Sequence, residues 1–198
     1  KASVDTIADL MVEDLAADMA DQAAALERLV AGYCDGRQSA ELRRAADLLG
    51  AGNQAPLLVG MGASHAACVA AAWASAMAGH PALAQDAGEF LHYGHAALGE
   101  DRPLLGASYS GVSAELVELA GRRRGVVALT DRPDSPFGRA CDHVLPLLCG
   151  PELAMATKSY TSTLALLLML GAALRGDLPD CQVRGVPERI AGMLAETA

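Results

Sequence analysis

Aromatic and basic residues are scarce in this chain. Phe, Trp and Tyr together make up 4% of the 198 residues, so alanine, leucine and valine must build the core. The formal net charge is −9 at pH 7, and no basic face is available to neutralise a nucleic-acid backbone. The one basic run, residues 122–124, is interpreted as the solvated end of a helix. Nucleic acid is therefore excluded as the main partner.

Cysteines at metal-binding spacing are also missing. The five cysteines are odd in number and form no Cys-x-x-Cys motif, which argues against a disulfide framework and a zinc site. They are Cys34, Cys68, Cys141, Cys149 and Cys181. We expect buried thiols in a reducing cytoplasm, with no metal and no cofactor.

Long hydrophobic runs are absent as well. The most hydrophobic stretch, residues 163–174, is shorter than the roughly 20 residues that a membrane-spanning helix needs, and we predict a buried core helix there. The first residues lack the apolar core and cleavage pattern of a signal peptide. We therefore expect a soluble protein with no membrane partner. Lys1 has no methionine before it, so a trimmed or partial chain is also expected.

The composition itself indicates a packed globular domain. Apolar residues make up 52% of the chain and the mean hydropathy is +0.24. The length suffices for one sizeable α/β domain and is short for two. Residues 1–50 have helical spacing, residues 51–175 form the predicted ligand-binding domain, and residues 176–198 are predicted to be a linker and a C-terminal helix.

Short apolar runs alternate with helix-like segments from residue 55 onward. The predicted strands are 55–60, 81–87, 103–108, 125–130 and 143–148. The predicted helices are 64–79, 89–98, 113–123, 135–141 and about 155–174. This alternation predicts an α/β fold, a doubly wound parallel sheet of five strands with helices on both faces.

Small polar residues follow two of these strands. Gly60 ends the first and Gly62 follows it, and both allow backbone N–H groups to approach an anion. The hydroxyls are Ser64 after the first strand and Ser108, Ser110 and Ser113 after the third. Helix N-termini attract anions, and ligands of such sheets bind beyond the strand ends where the strand order reverses. We therefore predict a phosphate seat.

Two alternatives remain open for these segments. Simple helix capping, with Ser113 as the cap, explains each strand end separately but does not predict that both look alike. A dinucleotide site is the more distant alternative, because "GMGASH" begins like G-x-G-x-x-G and Asp86 lies where a ribose-binding acid would sit. His65 occupies the third glycine position of that motif, however, and the serines have no role in it.

Five segments in the same order resemble the sugar isomerase (SIS) domain family. They are "DMADQAAAL" (18–26), "VGMGASHAACVAAAW" (59–73), "DAGEF" (86–90), "SYSGVSAEL" (108–116) and a stretch at 128–170 that contains "GPELAMATKSYT". The chain is most similar to the first SIS domain in the isomerase half of glucosamine-6-phosphate synthase and of related two-domain phosphosugar isomerases and deglycases. The resemblance implies the flavodoxin-like SIS fold with an N-terminal helical extension.

The resemblance also implies which residues bind. The phosphate seat would comprise Ser64, Ser108, Ser110 and Ser113, together with Gly62 and Tyr109. Lys158 follows the Thr-Lys of the family and is a candidate for substrate binding, or else a helix residue that extends towards solvent. His65 is a second candidate for substrate binding, or else a residue that only borders the predicted pocket. Tyr109 and Val112 stand where the family usually has glutamine and glutamate, so sugar recognition is expected to differ.

Glu89 and His92 are the candidate catalytic pair. Aldose–ketose isomerisation needs a base that moves a proton between adjacent carbons and a group that opens the ring. Three positions apart, these side chains could share a helical face. The alternatives are a glutamate that complements a helix dipole and a surface histidine. The catalytic glutamate of the family's second domain has no counterpart in residues 73–82, and Glu152 is expected to order its loop.

The resemblance implies a protein that binds a phosphorylated sugar. It would take part in the aldose–ketose isomerisation, deamination or deglycation of a hexose phosphate, in a site completed by a second SIS domain or subunit. A non-catalytic module that binds or senses phosphosugars is the alternative. A homodimer is expected.

Overall fold

Five short strands form one parallel sheet in the computed structural model, which describes residues 4–51, 54–94, 98, 101–153, 155–177 and 183–197. The strands are β1 (Leu57–Gly60), β2 (Leu83–Asp86), β3 (Leu104–Ala107), β4 (Val126–Thr130) and β5 (His143–Pro146). Each lies inside one of the segments predicted as a strand. The predicted doubly wound, five-stranded sheet is thereby confirmed.

The strand order is β2-β1-β3-β4-β5. β1 pairs with β2 on one side and with β3 on the other, and all pairings are parallel. After β1 the chain runs to one edge of the sheet, and after β3 it runs to the other. The strand order therefore reverses between β1 and β3, where Gly60 pairs with Ala107 at the carboxyl ends.

The described helices surround this sheet. They are α1 (Val4–Ala20), α2 (Gln22–Val30), α3 (Gln38–Gly50), α4 (Ala63–Met77), α5 (Ala87–Glu89), α6 (Ala114–Arg122), α7 (Pro136–Ala140), α8 (Lys158–Leu174) and α9 (Val186–Thr197). α2 continues into a π-helical turn at Ala31–Asp35, and α5 continues into one at Phe90–Gly94. The predicted helix 89–98 is thus replaced by α5 and its π-helical turn, and its residues 95–97 lie outside the described part.

Apolar side chains cover both faces of the sheet. Alternate strand residues point to opposite faces, so Leu57 and Val59 pack on one side and Leu58 on the other. Helices α2, α3, α4 and α8 share the core that contains Leu58, while α6 and α7 contribute to the core that contains Leu57. Alanine, leucine and valine dominate both cores, as the composition predicted.

The N-terminal helical segment is joined to the sheet by more than apolar contact. The Tyr33 hydroxyl donates a hydrogen bond to the Pro146 carbonyl at 2.8 Å, and the side chain is fully buried. Burial raises the pKa of Tyr33 above its usual range. The hydrophobic stretch at 163–174 lies within α8 and packs in the same core as Tyr33, which confirms the predicted core helix. Among the described helices, none has the length and apolarity to span a bilayer.

Two expectations about polar residues need correction. Arg123 is buried rather than solvated: its Nη2 donates to the Arg102 carbonyl at 3.2 Å, and its guanidinium lies 5.6 Å from the centre of the Phe90 ring. Burial also differs among the free cysteines, since Cys68 and Cys149 are buried whereas Cys34 and Cys141 are partly exposed. Cys181 lies outside the described residues.

Candidate functional site

A cavity of about 340 Å³ opens beyond the carboxyl ends of β1 and β3. It lies at the point where the strand order reverses, the place at which doubly wound sheets bind ligands. Three parts of the chain line it: the turn from β1 into α4, the loop from β3 into α6, and the segment that leads from β5 into α8.

The four serines predicted from sequence all line this one cavity. They are Ser64, Ser108, Ser110 and Ser113. Ser108 Oγ lies 3.1 Å from Ser113 Oγ and accepts a hydrogen bond from the Gly111 amide at 3.2 Å. The structure therefore brings together hydroxyls from two neighbouring strand ends.

Helix capping does not account for these hydroxyls. Ser113 is the N-cap residue of α6, but its side chain makes no capping hydrogen bond. Ser64 lies inside α4, whose N-cap residue is Gly62 with a φ of +54°. Ser135, by contrast, caps α7 by accepting a hydrogen bond from the Gly138 amide at 3.1 Å. The side chain of Ser135 thus caps a helix away from the cavity, whereas α4 and α6 have no side-chain cap.

The lining offers neutral donors rather than cations. Among the described lining residues, Glu152 is the one Asp, Glu, His, Lys or Arg. Helices α4 and α6 begin at the cavity, and the first N–H groups of a helix have no partner within the helix. These groups and the positive ends of the helix dipoles favour an anion. The cavity is therefore suited to hold an anion with hydroxyl and amide groups.

The serine loop turns at Gly111 in a conformation that only glycine adopts readily. Its φ is +64°, and a Cβ atom built there would lie 1.9 Å from Ser135 Oγ and 3.0 Å from Thr130 Oγ1. Both the backbone angle and the close packing require the absence of a side chain. The position of Ser108, Ser110 and Ser113 thus depends on this glycine.

Tyr109 ties the serine loop to the loop after β5. Its hydroxyl donates to the Gly150 carbonyl at 3.2 Å and accepts from the Glu152 amide at 2.8 Å. The side chain lines the cavity and is partly buried, and burial raises its pKa. Its hydroxyl already has partners within the protein. Gly62 does not line the cavity, although its neighbours Met61 and Ala63 do.

Glu152 organises the start of α8. Its Oε1 accepts hydrogen bonds from the Thr157 amide at 2.8 Å, the Thr157 hydroxyl at 3.1 Å and the Ser159 amide at 3.0 Å, and its Oε2 accepts from the Ser159 hydroxyl. These bonds confirm that Glu152 orders its loop. They also explain why α8 begins at Lys158 rather than near residue 155.

Lys158 lies away from the cavity lining. Its Nζ is 3.1 Å from Asp18 Oδ1 and 3.0 Å from Asp21 Oδ2, and the side chain is almost fully buried. Burial acts to lower the pKa of Lys158, but hydrogen bonds to Asp21 and Asp18 outweigh it and raise the pKa. This placement argues against both substrate binding and extension towards solvent.

The candidate catalytic residues also lie outside the lining. Glu89 and His92 are exposed. The chain changes from α5 to a π-helical turn between them, so an argument from α-helical spacing does not apply. The His92 ring stands edge-on to the Tyr93 ring, with 6.2 Å between their centres. His65, the other candidate for substrate binding, is partly exposed in the first turn of α4 and is not among the lining residues.

Asp86 has a structural task. Its Oδ1 accepts hydrogen bonds from the amides of Gly88, at 2.9 Å, and Glu89, at 3.2 Å, and so caps α5. The carboxylate that the dinucleotide alternative assigned to a ribose is therefore occupied.

Sequence reasoning missed part of the lining. The missed residues are Met61, Ala63, Ala107, Leu153, Met155, Ala156, Ser159 and Tyr160. Ser159 and Tyr160 belong to the segment "GPELAMATKSYT", in which the resemblance points to Glu152 and Lys158 alone. The polar residues directly after Lys158 were the available signal.

Fold and cavity define a class: doubly wound α/β domains with a hydroxyl-rich cavity at the switch point of the sheet. A model of the SIS domain family matches residues 55–173. The chain belongs to the SIS domain family.

Two curated relatives illustrate the similarity. Arabinose 5-phosphate isomerase KdsD of Pseudomonas aeruginosa is 31% identical over 135 residues, which cover 66% of this chain and 41% of that protein. A glutamine--fructose-6-phosphate aminotransferase (isomerizing) of Bacillus thuringiensis is 37% identical over 81 residues, covering 37% of this chain and 14% of that protein. The chain thus matches less than half the length of either relative.

Solved structures share the fold. Tagatose-6-phosphate ketose/aldose isomerase from Escherichia coli has a TM-score of 0.68 at 20% identity, covering 91% of this chain and 53% of that one. The sugar isomerase domain of an RpiR transcription factor from Sphaerobacter thermophilus has a TM-score of 0.62 at 21% identity, covering 94% of this chain and 96% of that one. At these identities the likeness shows the fold alone.

Proposed function

We propose that the cavity binds the phosphate group of a phosphorylated sugar. The observation that carries the proposal is that Ser64, Ser108, Ser110 and Ser113, from two adjacent strand ends, line one cavity at which two helices begin. Hydroxyls and amides can hold a dianion without a lysine or arginine. The two curated relatives are named for arabinose 5-phosphate and fructose 6-phosphate, and these names support a sugar phosphate as the ligand.

We further propose that the bound sugar undergoes aldose–ketose isomerisation, or deamination or deglycation, in a site completed by a second SIS domain or a second copy. The one carboxylate in the described lining, Glu152, already accepts four hydrogen bonds. A base that moves a proton must then enter from outside the cavity. Glu89 and His92 remain candidates from a neighbouring copy.

The rim of the cavity supports this completion. Three large apolar side chains line it while remaining exposed to solvent: Met61 at 38%, Leu153 at 69% and Met155 at 61%. Exposed apolar groups around a polar cavity are typical of a surface that another protein surface covers. A homodimer would supply that surface.

A non-catalytic module that binds phosphosugars is the second candidate. It is favoured by the same engagement of Glu152, because the lining described here then has no free carboxylate or imidazole for proton transfer. In this case the protein would bind and release the ligand unchanged.

Calorimetric titration with fructose 6-phosphate and with arabinose 5-phosphate tests binding. Ser110→Ala removes a lining hydroxyl that makes no hydrogen bond within the described structure, so folding should be unaffected and the dissociation constant should rise about tenfold. Ser39→Ala, at the start of α3, is the matched control and should bind like the wild type. Equal affinities of Ser110→Ala and the wild type would contradict the phosphate seat. A parallel titration with NAD tests the dinucleotide alternative, which binding of NAD would favour.

An isomerisation assay on the same preparations separates the two candidate functions. Catalysis is supported if the wild type turns over the substrate and if Glu89→Gln or His92→Gln turns it over more slowly while binding it with unchanged affinity. Tight binding without turnover supports the binding module. Sedimentation of the same samples reports whether the protein is a dimer.

A further inference from the structure

The N-terminal helices hold one wall of the cavity. This wall loop comprises residues 148–153, of which Glu152 and Leu153 line the cavity. The Leu153 amide donates to Asp18 Oδ2 at 2.8 Å. Arg28 donates from Nε to the Leu148 carbonyl at 3.3 Å and from Nη2 to the Cys149 carbonyl at 3.0 Å. Asp18 and Arg28 lie on α1 and α2, outside the residues that match the family model.

A cluster of charged side chains holds Asp18 and Arg28, the two residues that bond to the wall loop, in place. Lys158 Nζ lies 3.1 Å from Asp18 Oδ1 and 3.0 Å from Asp21 Oδ2, while Arg28 Nη2 lies 3.2 Å from the same Asp21 oxygen. The Asp18 and Lys158 side chains are only 4% and 7% exposed. Buried charges of this kind hold a defined geometry, because each must keep its partners. We call Asp18, Asp21, Arg28 and Lys158 the clamp.

The wall loop also carries local backbone strain. Leu148 has a φ of +54°, and it is the one non-glycine residue in the left-handed region among those described. A bulky residue adopts this conformation only where its surroundings hold it. The hydrogen bond from Arg28 to the Leu148 carbonyl is one such restraint. The strained residue Leu148 and the hydrogen bonds from the clamp therefore lie in the same wall loop.

We propose that the clamp is a positioning device for the sugar-binding part of the cavity. The serine hydroxyls that would receive the phosphate follow β1 and β3, whereas the clamp acts on the loop after β5. The wall loop is therefore left to contact the sugar, and α1 and α2 set its position. This inference rests on the proposed function. The four clamp residues are positioning residues and do not touch the ligand.

Two variants and two ligands test the inference. Asp18→Ala removes the anchor of the Leu153 amide and leaves Lys158 paired with Asp21. Arg28→Gln removes the bonds to Leu148 and Cys149 from a side chain that is 46% exposed, so folding should tolerate it. Calorimetry with fructose 6-phosphate and with inorganic phosphate measures both affinities for each protein. The dissociation constant should rise about tenfold for fructose 6-phosphate and stay within about twofold for inorganic phosphate.

Asp35→Asn is the matched control. It weakens the exposed ion pair of Asp35 with Arg184, whose distances are 2.8 and 2.9 Å. Both affinities should remain those of the wild type. Circular dichroism and thermal unfolding verify that each variant folds. If Asp18→Ala does not fold, the affinities of Arg28→Gln test the inference by themselves.

The possible results separate this inference from the proposed function. If the wild type binds neither ligand, the phosphate seat fails and the positioning role falls with it. If the wild type binds fructose 6-phosphate more tightly than phosphate and the variants keep that ratio, the inference is overturned while the seat stands. A parallel loss of both affinities, or equal wild-type affinities for both ligands, also overturns it. A selective loss for fructose 6-phosphate supports it.

Discussion

Ser108, Ser110 and Ser113 share one loop but use their hydroxyls differently. Ser108 supports the turn by accepting from the Gly111 amide, and it contacts Ser113. Ser110 makes no side-chain hydrogen bond within the described structure and is partly exposed at the cavity. At the scale of single residues, Ser110 is therefore the hydroxyl that a ligand can engage without disturbing the loop.

Gly111 provides a stability test of this loop. We expect Gly111→Ala to lower the free energy of unfolding by about 2 kcal/mol or more, because a φ of +64° disfavours a side chain and a Cβ would collide with Ser135. Gly121→Ala is the control: this helical position has nothing within 4 Å of a built Cβ, so alanine should stabilise by about 0.5–1 kcal/mol. Urea unfolding measures both. Equal stabilities of the two variants would contradict the tight turn.

Helix N-termini explain the cavity at the scale of elements. Among the helices that follow strands, α5 is capped by Asp86, α7 by Ser135 and α8 by Glu152. In α4 and α6, which begin at the cavity, the N-cap residues Gly62 and Ser113 make no side-chain cap. In α4, however, the amides of Ser64 and His65 donate to the Met61 carbonyl at 3.1 and 3.4 Å, so the backbone satisfies part of this N-terminus. The first amides of α6 have no such partner within the described structure, so its N-terminus is the more open of the two to an anion.

Glu152→Gln tests the cap of α8. The carboxylate accepts four hydrogen bonds, whereas one end of an amide can only donate, so some donors lose their partner. We expect a loss of about 1–3 kcal/mol in the free energy of unfolding, measured by urea denaturation. Glu188→Gln, at an exposed position in the first turn of α9, should cost no more than about 0.5 kcal/mol. A similar cost for both would indicate a general dipole effect.

The clamp makes the stability of the molecule depend on pH through two of its residues. Burial acts to raise the pKa of Asp21, but hydrogen bonds from Arg28 and Lys158 outweigh it and lower the pKa. The pKa of Lys158 is raised, as described above. The stabilisation by Asp21 is present above about pH 4 and is lost as the pH falls through its lowered pKa. The stabilisation by Lys158 is present below about pH 10 and is lost as the pH rises through its raised pKa.

Lys158→Met should therefore differ most from the wild type at neutral pH. We expect the difference in the free energy of unfolding to be largest between about pH 5 and 9, because in this range the wild type keeps the attraction between the Lys158 ammonium and the Asp21 carboxylate, and to shrink on both sides. Urea unfolding across this range measures it. Arg184→Met, which removes an exposed pair, should change stability by less than about 1 kcal/mol throughout. A difference independent of pH would refute a role of the ion pairs.

Local patterns were enough for much of the fold. The five strands lie within short apolar runs, and α4, α6 and α7 begin and end within two residues of the predicted bounds. α8 begins later than its apolar pattern predicts, at the point where the Glu152 carboxylate accepts from the amides of Thr157, the N-cap residue, and Ser159, the second residue of the helix. The sequence predicts a solvated Arg123 because it shows the charge but not the Phe90 ring and the Arg102 carbonyl, which the fold brings next to it.

The sequence by itself determined the elements, their alternation and the serines at two strand ends, because these depend on periodicity and on neighbours in the chain. Only the tertiary structure decided that the four serines share one cavity, that Lys158 pairs with Asp18 and Asp21 of the first two helices, and that Glu89 and His92 lie outside the lining. Such contacts join segments distant in the chain, and packing of the helices against both faces of the sheet selects them.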